Sequence, residues 1–567
     1  MTKTTKDFEN FEYDHIYNLI LVIFKYNEKK YGNFVKDAIR ILLEFEKNGE
    51  TIIDLDNSLI FFELLEDGWP NKHIDVLKNI GLIGCLDSPF VLINRKLSLS
   101  KWSKKIERVI NLFLKKIDTD NLMNSIIYKD DNKIDQIKNI FKYSNLVFLQ
   151  GGPGTGKTTL IINLILELLR IDNFLNIGLS APTGKATARL KEALNDKKNI
   201  SFSKYLDQIE FQTLHRWILN SQNKSLKLKF KLKELDIFII DEMSMVNIDL
   251  IESVLSLLAK DCKIILVGDK NQLSPVNNCS IWNYLFEYGE NSSIKSTIVN
   301  LEKTYRNIGD IALISSLVFK NDCSLFNQKI KELEINNNSK EVTISKSRGK
   351  DIPKNLFFAI KSHLNKLNLS TSNLSKKKYI FDEGIDDLLL NDKDLVDKIF
   401  LDLQSYLILC EKNSGIWSVE YLNEIIFGQK KPYDLKTLNE GVPIMCTKNN
   451  NELGLSNGDI GVIIGLKNKR KYLFRKFNDN NEQIFALIDP SNLENVVPAI
   501  AITIHKSQGS ESEKVSILWT QKYRRNQYAL KEKKDSENIF FRDNFERRLF
   551  YTAVTRAKKF LDIYYLN

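Results

Sequence analysis

Cysteines are few in this 567-residue chain, and no two stand close together. The six (Cys85, Cys262, Cys279, Cys323, Cys410 and Cys446) include no C-x-x-C pair. That excludes a zinc ribbon and a disulfide framework and fits a reducing compartment. Long apolar runs are missing as well. YNLILVIFKY is too short to cross a bilayer, and the polar, acidic opening MTKTTKDFENFEYD does not resemble a signal peptide. A cytoplasmic protein with no membrane partner is expected. The chain also lacks a repeat of short period and an acidic cluster of the nuclease type.

What is present describes a folded soluble protein, with 43% hydrophobic and 27% charged residues. At roughly 150 residues per domain the length predicts about four units. The formal net charge of +10 suits a polyanion such as nucleic acid. Lysine is nevertheless spread along the whole chain with asparagine and isoleucine, so the charge alone selects no partner.

Residues 1–115 read as mostly helical. FVKDAIRILLEFEK (Phe34–Lys47) carries apolar residues at helical spacing, and NGE follows as a stop. No catalytic cluster falls here, so a docking or scaffold domain is expected. From residue 116 the pattern changes. NLVFLQ, NIGLSAPTGKA, LDIFIIDEMS and CKIILVGDKNQ are short apolar strands with polar ends, and the amphipathic to fully apolar TLIINLILELLR separates the first two. Strands alternating with helices predict an α/β fold built on a parallel sheet, with functional residues at the strand carboxyl ends. Residues 330–380, rich in Asn, Ser and Lys, read as loops or a linker. A second α/β pattern resumes at SYLILCEKN, and residues 459–500 read as a small β insertion within it.

GGPGTGKT satisfies G-x-x-x-x-G-K-[ST] with Gly151, Gly156, Lys157 and Thr158; Gly152, Pro153, Gly154, Thr155 and Thr159 complete the cradle. Glycines let backbone N–H groups face phosphates at a helix N-terminus. Lys157 is expected on the β- and γ-phosphates of ATP and the Thr158 hydroxyl on Mg²⁺. FIIDE delivers Asp241, which can hold Mg²⁺ through water, and Glu242, which can orient or deprotonate the attacking water. ILVGDKNQLSPV adds Asp269 and Gln272 at a third strand end, where an amide can sense a γ-phosphate.

The ordered set GGPGTGKTT, LSAPTGKATARL, FQTLHRW, FIIDEMSMV, LVGDKNQLSPV, LEKTYRN, ITIHKSQGSE and LFYTAVTRAKK resembles the motifs of superfamily 1 DNA helicases. Within that group it is most similar to RecD, the alpha subunit of bacterial RecBCD exodeoxyribonuclease V. The resemblance covers residues 130–567. It implies two RecA-like lobes, 116–345 with a small hairpin near 222–234 and 346–567 with an SH3-like insertion, behind a partner-docking N-terminal domain. It also implies that Gln136 reads adenine, unless it is a solvent-facing helix residue, and that Arg306 and Arg556 reach the γ-phosphate from the second lobe. A guanidinium there neutralises charge on the transferring phosphoryl group.

A DNA track would use Pro182, Thr183, Lys185, Arg189, Thr213, His215 and Arg216 in the first lobe. In the second it would use Thr503, His505, Lys506, Ser507 and Gln508. Such side chains hold phosphates without reading sequence. His215 and His505 fit either DNA contact or a hydrogen-bonded core. SLKLKFKLK (Ser225–Lys233) reads as a strand with one lysine face, either on DNA or in solvent. The resemblance implies a 5′-to-3′ motor on single-stranded DNA that unwinds duplex ends in break repair, with RecB-like and RecC-like partners. A stand-alone RecD-like helicase, an RNA helicase of the same superfamily and a structural subunit with a dispensable ATPase are the competing readings.

Overall fold

Apolar runs four to six residues long, with β-branched residues throughout, favour strands buried on both faces. Helical segments between them leave parallel pairing as the short-range solution. The computed structural model describes residues 2–47, 49–56, 66–85, 87–118, 132–196, 203–222, 229–275, 280–287, 292–303, 309–320, 322–336, 339–347, 349–377, 392–450, 452–465, 469–477, 483–520, 541 and 544–566. Contacts divide the chain into two units. The first holds Met1–Gly152, Lys157–Pro182 and Leu194–Glu302, and the second holds Pro153–Gly156, Thr183–Ala193 and Lys303–Asn567.

The first unit begins with α1 (Thr2–Phe24), α2 (Glu28–Lys47), β1 (Ile52–Asp54), α3 (Asn71–Asn79), β2 (Phe90–Ile93), β3 (Lys96–Leu99) and α4 (Ser100–Leu114). The helix expected over Phe34–Lys47 is the carboxyl part of α2, and it ends where Gly49 N–H bonds to Glu46 C=O. Three short strands, missed in the sequence, form an antiparallel sheet in the order β1-β3-β2. This region shares one hydrophobic core with the parallel sheet of the same unit. Phe113 of α4 meets Phe148 edge to face at 5.4 Å.

The strands and helices of that parallel sheet are α5 (Lys133–Ile140), β4 (Leu146–Gly151), α6 (Lys157–Ile171), β5 (Ile177–Ala181), β6 (Ile209–Thr213), α8 (Leu214–Gln222), β7 (Ile237–Ile240), α9 (Ile248–Leu257), β8 (Lys263–Gly268), α10 (Ile281–Glu287), α11 (Ser292–Lys295) and β9 (Ile298–Leu301); between β5 and β6 the chain forms α7 (Gly184–Asp196), whose residues up to Ala193 group with the second unit. The sheet order is β6-β5-β7-β8-β4-β9, and every pair is parallel. β4, β5 and β7 are buried at every residue. On its surface α4 is tied to α9 by ion pairs from Lys105 to Asp249 and from Arg108 to Glu252.

The second unit contains α12 (Asp310–Lys320), α13 (Cys323–Asn336), β10 (Val342–Ser347), α14 (Lys354–Ser375), α15 (Lys393–Gln404), β11 (Tyr406–Cys410), α16 (Val419–Phe427), β12 (Pro443–Cys446), β13 (Ile460–Ile464), β14 (Lys471–Phe477), β15 (Gln483–Ile488), β16 (Val496–Pro498), β17 (Ile502–Thr503), β18 (Ser512–Trp519), α17 (Asn544–Val554) and β19 (Ala557–Leu566). A parallel sheet runs β10-β19-β18-β11-β17. The expected β insertion is an antiparallel sheet ordered β15-β14-β13-β12-β16, and it starts at Pro443, ahead of the expected residue 459. A two-lobed α/β protein is thus observed, each lobe with its own parallel sheet.

Two expectations need correction. The supposed linker over 330–380 contains a sheet strand, β10, and the 22-residue helix α14. The stripe Leu356, Ile360, His363, Leu367, Ser370, Thr371 and Leu374 of α14 is buried at helical spacing. The expected strand over 225–233 lies outside the described residues at 225–228. Its described remainder is irregular and then a 3₁₀ turn over Leu232–Glu234.

One glycine of the insertion is placed for a steric reason. Gly441 has φ +83°, and a Cβ there would sit 2.6 Å from the backbone N and Cα of Asn368 in α14. Left-handed backbone with a side chain and overpacking against a helix backbone together cost about 2–5 kcal/mol. Gly441→Ala should lower the thermal unfolding midpoint by several degrees. An unchanged midpoint in calorimetry would contradict that packing.

Candidate functional site

β4 runs straight into the loop 152–156, and α6 opens at Lys157. Gly154 (φ +73°) and Gly156 (φ +81°) hold left-handed backbone that a side chain rarely adopts. The loop therefore curls at the N-terminus of α6, where partial positive charge gathers. The Lys157 ammonium donates to the carbonyls of Gly151 (2.7 Å) and Gly152 (2.9 Å). It is already poised over the loop, on weak acceptors that a phosphate oxygen can replace.

The sheet order puts β8 between β7 and β4. With all three parallel, their carboxyl ends lie along one edge. At about 4.8 Å per strand, the end of β7 stands roughly 10 Å from the end of β4. Asp241 follows β7; its N–H bonds to Ser180 C=O at 2.9 Å, and its carboxylate accepts the Glu242 N–H at 2.8 Å. Glu242 has φ +55°, a conformation that costs a residue with a Cβ about 1–2 kcal/mol. Strained backbone of this kind gathers at functional positions.

Asp269 and Gln272 follow β8. Asp269 is buried and accepts the Asn271 N–H on its carboxylate (3.0 Å) and the Gln272 N–H on its carbonyl (3.2 Å). Gln272 is 3% exposed, and its side-chain oxygen is buried without a hydrogen-bond partner among the described residues. As an acceptor, that oxygen can take a hydrogen bond only from a donor such as water, while the amide NH₂ of the same side chain is the group able to donate to a phosphate oxygen.

The oxygen donors Thr158 and Asp241 suit Mg²⁺, a hard cation that takes few protein ligands and completes its shell with water and phosphate. Among the described residues no group of three or more His, Cys, Asp and Glu could cage a metal by itself. Gln136 lies on α5, whose Asn132 cap accepts the Ile134 N–H at 3.1 Å. α5 is tied to α6 by the Lys138–Glu167 ion pair. That anchors Gln136 to the helix that begins with Lys157.

In the second unit, Arg556 is 2% exposed just beyond α17. Its guanidinium bonds to Thr552 C=O (3.0 Å), Ser510 C=O (3.2 Å) and the Thr555 hydroxyl (3.3 Å). The Ser512 N–H returns a bond to Arg556 C=O at 3.0 Å. The arginine and the loop that comes after ITIHKSQ are therefore pinned together. Arg306 lies outside the described residues.

The candidate DNA residues divide. His215 and Arg216 are exposed on α8, and Thr213 lies partly buried at the strand end before it. Pro182 is partly buried. Thr183 caps α7, accepting the Ala186 N–H at 3.2 Å. Arg189 bonds to the Gly509 carbonyl and pairs with Glu511 at 3.3 Å. For Lys185 the side chain lies outside the described residues. Lys506 and Gln508 are partly exposed, and burial lowers the Lys506 ammonium pKa.

Of the other second-lobe candidates, two are buried and one is partly exposed. Thr503 is 6% exposed within a sheet strand. Ser507 is fully buried, its hydroxyl donating to Ile504 C=O at 2.6 Å. His505 is partly exposed and stacks on Phe545, with ring centroids 6.0 Å apart, and burial pushes its pKa down to about 4. Thr503 and Ser507 thus shape the loop from inside, and His505 lies at its surface. Sequence reasoning also missed Gln150 and Trp282, which bond to each other across the first sheet; the only local signal was a polar residue closing an apolar strand.

The AAA domain family matches residues 136–278, the span that carries the loop and both strand-end pairs. A parallel sheet with a glycine loop and carboxylates on one edge is the arrangement that P-loop nucleotide-binding proteins use. The chain is similar to RecD subunits over nearly its whole length. It is 29% identical to the RecBCD enzyme subunit RecD of Buchnera aphidicola from Schizaphis graminum, over 98% of this chain and 97% of that one. The RecD of Buchnera aphidicola from Acyrthosiphon pisum is also 29% identical, over 88% of this chain and 83% of that one. The ATP-dependent RecD2 DNA helicase of Deinococcus radiodurans is 34% identical over a shorter stretch, 23% of this chain and 16% of that one. No helix among the described residues is long and apolar enough to cross a membrane.

Proposed function

We propose that the chain is an ATP-dependent, 5′-to-3′ translocase and helicase on single-stranded DNA. It acts at duplex ends as the RecD-like subunit of a RecBCD-type helicase–nuclease, with RecB-like and RecC-like partners. The observation that carries this reading is the match to RecD subunits along nearly all of both chains. The polarity rests on the motif resemblance.

The roles derive from the edge of the first sheet. Loop N–H groups and Lys157 hold the β- and γ-phosphates. Thr158 and Asp241 would hold Mg²⁺, which supplies charge neutralisation at the phosphate oxygens. Glu242 orients or deprotonates the attacking water, and Gln272 takes up a γ-phosphate oxygen through its amide. Arg556, with Arg306, stabilises the charge of the transferring group. Pro182, Thr183, Lys185, Arg189, Thr213, His215, Arg216, His505, Lys506 and Gln508 remain the DNA-facing candidates, with the buried Thr503 and Ser507 shaping the second-lobe loop.

Strand displacement by the purified chain, with ATP and Mg²⁺, on duplexes tailed at either the 5′ or the 3′ end tests the proposal. Only the 5′-tailed duplex should open. Opening of the 3′-tailed duplex alone would overturn the polarity. Hydrolysis without unwinding would mean that the motor works only with its partners. Absence of hydrolysis would favour a structural subunit instead.

A further inference from the structure

Between the P-loop and the turn that carries Gln272 lies a tether that no motif describes. Gln150, the residue before Gly151, is 5% exposed in β4 and sits opposite Gly268 of β8. Its side-chain oxygen accepts two hydrogen bonds, from the Lys270 backbone N–H (3.1 Å) and from the Trp282 indole N–H (3.2 Å). The donors are 120 and 132 residues away in the chain. Trp282 is fully buried, and its ring lies so close over Gly268 that a Cβ there would meet it at 2.8 Å. Phe148 and Phe286 flank the indole at 5.9 and 5.0 Å, and the Lys270 ammonium stands 6.0 Å from the Phe286 ring. The turn 269–272 is thus held by its backbone on one carboxamide oxygen, with an aromatic wall behind it.

We infer that Gln150 is a positioning residue for ATP hydrolysis: its oxygen sets the 269–272 turn, and with it the Gln272 carboxamide, in register with the P-loop. The inference rests on the proposed nucleotide site. Its basis is geometric, because Gly151, whose carbonyl holds Lys157, is the next residue along the strand. Without the acceptor, the Lys270 N–H and the indole N–H are both left unpaired in a buried place. The turn then loses this side-chain link to β4, and Gln272 loses its fixed distance from the phosphate. The loop glycines and Lys157 are untouched, so nucleotide affinity stays while turnover drops.

The test compares Gln150→Met, which keeps the volume and removes the acceptor, with Trp282→Phe, which keeps the ring and leaves the Lys270 bond in place. For Gln150→Met, DNA-stimulated kcat should fall about 10- to 100-fold with KM for ATP changed less than about threefold. Trp282→Phe should stay within about threefold of the parent. Gln150→Met and Gln272→Ala together should be no worse than the poorer single variant, since both act through one amide. Hydrogen exchange at the Lys270 amide should quicken in Gln150→Met and not in Trp282→Phe, with exchange in the Lys157 helix unchanged. A normal kcat in Gln150→Met, multiplying losses in the double variant or unchanged exchange at Lys270 would each overturn the inference. A parent chain that hydrolyses no ATP would overturn the proposed function, while the exchange measurement still decides the tether on its own.

Discussion

With glutamine at position 157, DNA-stimulated ATP hydrolysis falls by about 10²–10³-fold or more, and strand displacement disappears with it. The size reflects what the ammonium does. Removing one preorganised donor from a charge that grows in the transition state costs about 2.7–4 kcal/mol, and Lys157 also carries a full positive charge onto the phosphates. The fold should not notice. Lys157 is half-buried and, among the described residues, bonds to the carbonyls of Gly151 and Gly152, and a glutamine amide can donate to one of them. The thermal midpoint should move by less than about 2 °C. Phosphate release and calorimetry on the same preparation settle the matter: normal hydrolysis in Lys157→Gln would remove the loop from the chemistry.

Glu242→Gln is the second large effect. If Glu242 handles the attacking water, kcat should fall about 10²–10⁴-fold, the range for loss of a positioned general base, while ATP binding stays within about threefold. Position 242 permits a sharper comparison because its backbone is left-handed. Asparagine tolerates that conformation better than glutamate does. Glu242→Asn should therefore be as inactive as Glu242→Gln and yet more stable by about 0.5 kcal/mol. Equal losses of activity and stability in both variants would mean that Glu242 serves the fold and not the reaction.

The nucleotide edge was legible in the sequence because its signals are local. A strand, a glycine loop and a lysine stand within a dozen residues, and carboxylates close apolar runs that can only be buried strands. Partners far apart in sequence were not legible. Nothing near Gln150 announces Trp282, since their bond forms only after β4 and β8 pair. Composition misled at α14, where Asn, Ser and Lys on the outer face hid the buried stripe from Leu356 to Leu374. ITIHKSQGSE identified a loop but not the face of each side chain. Thr503 and Ser507 are buried, and a linear motif has no term for that. The sheet of β1, β2 and β3 escaped because strands of three or four residues carry too little alternation to register.

The edge-to-face contact of Phe113 with Phe148 has a consequence for divisibility. Phe148 belongs to the strand that ends in the phosphate loop, and its cover comes from a helix with no chemistry of its own. Cutting the chain after residue 115 would strip an aromatic ring and the salt-bridged face of α9 at one stroke. A fragment meant to keep the strand and loop in place should therefore retain α4, a helix for which the sequence offers no motif.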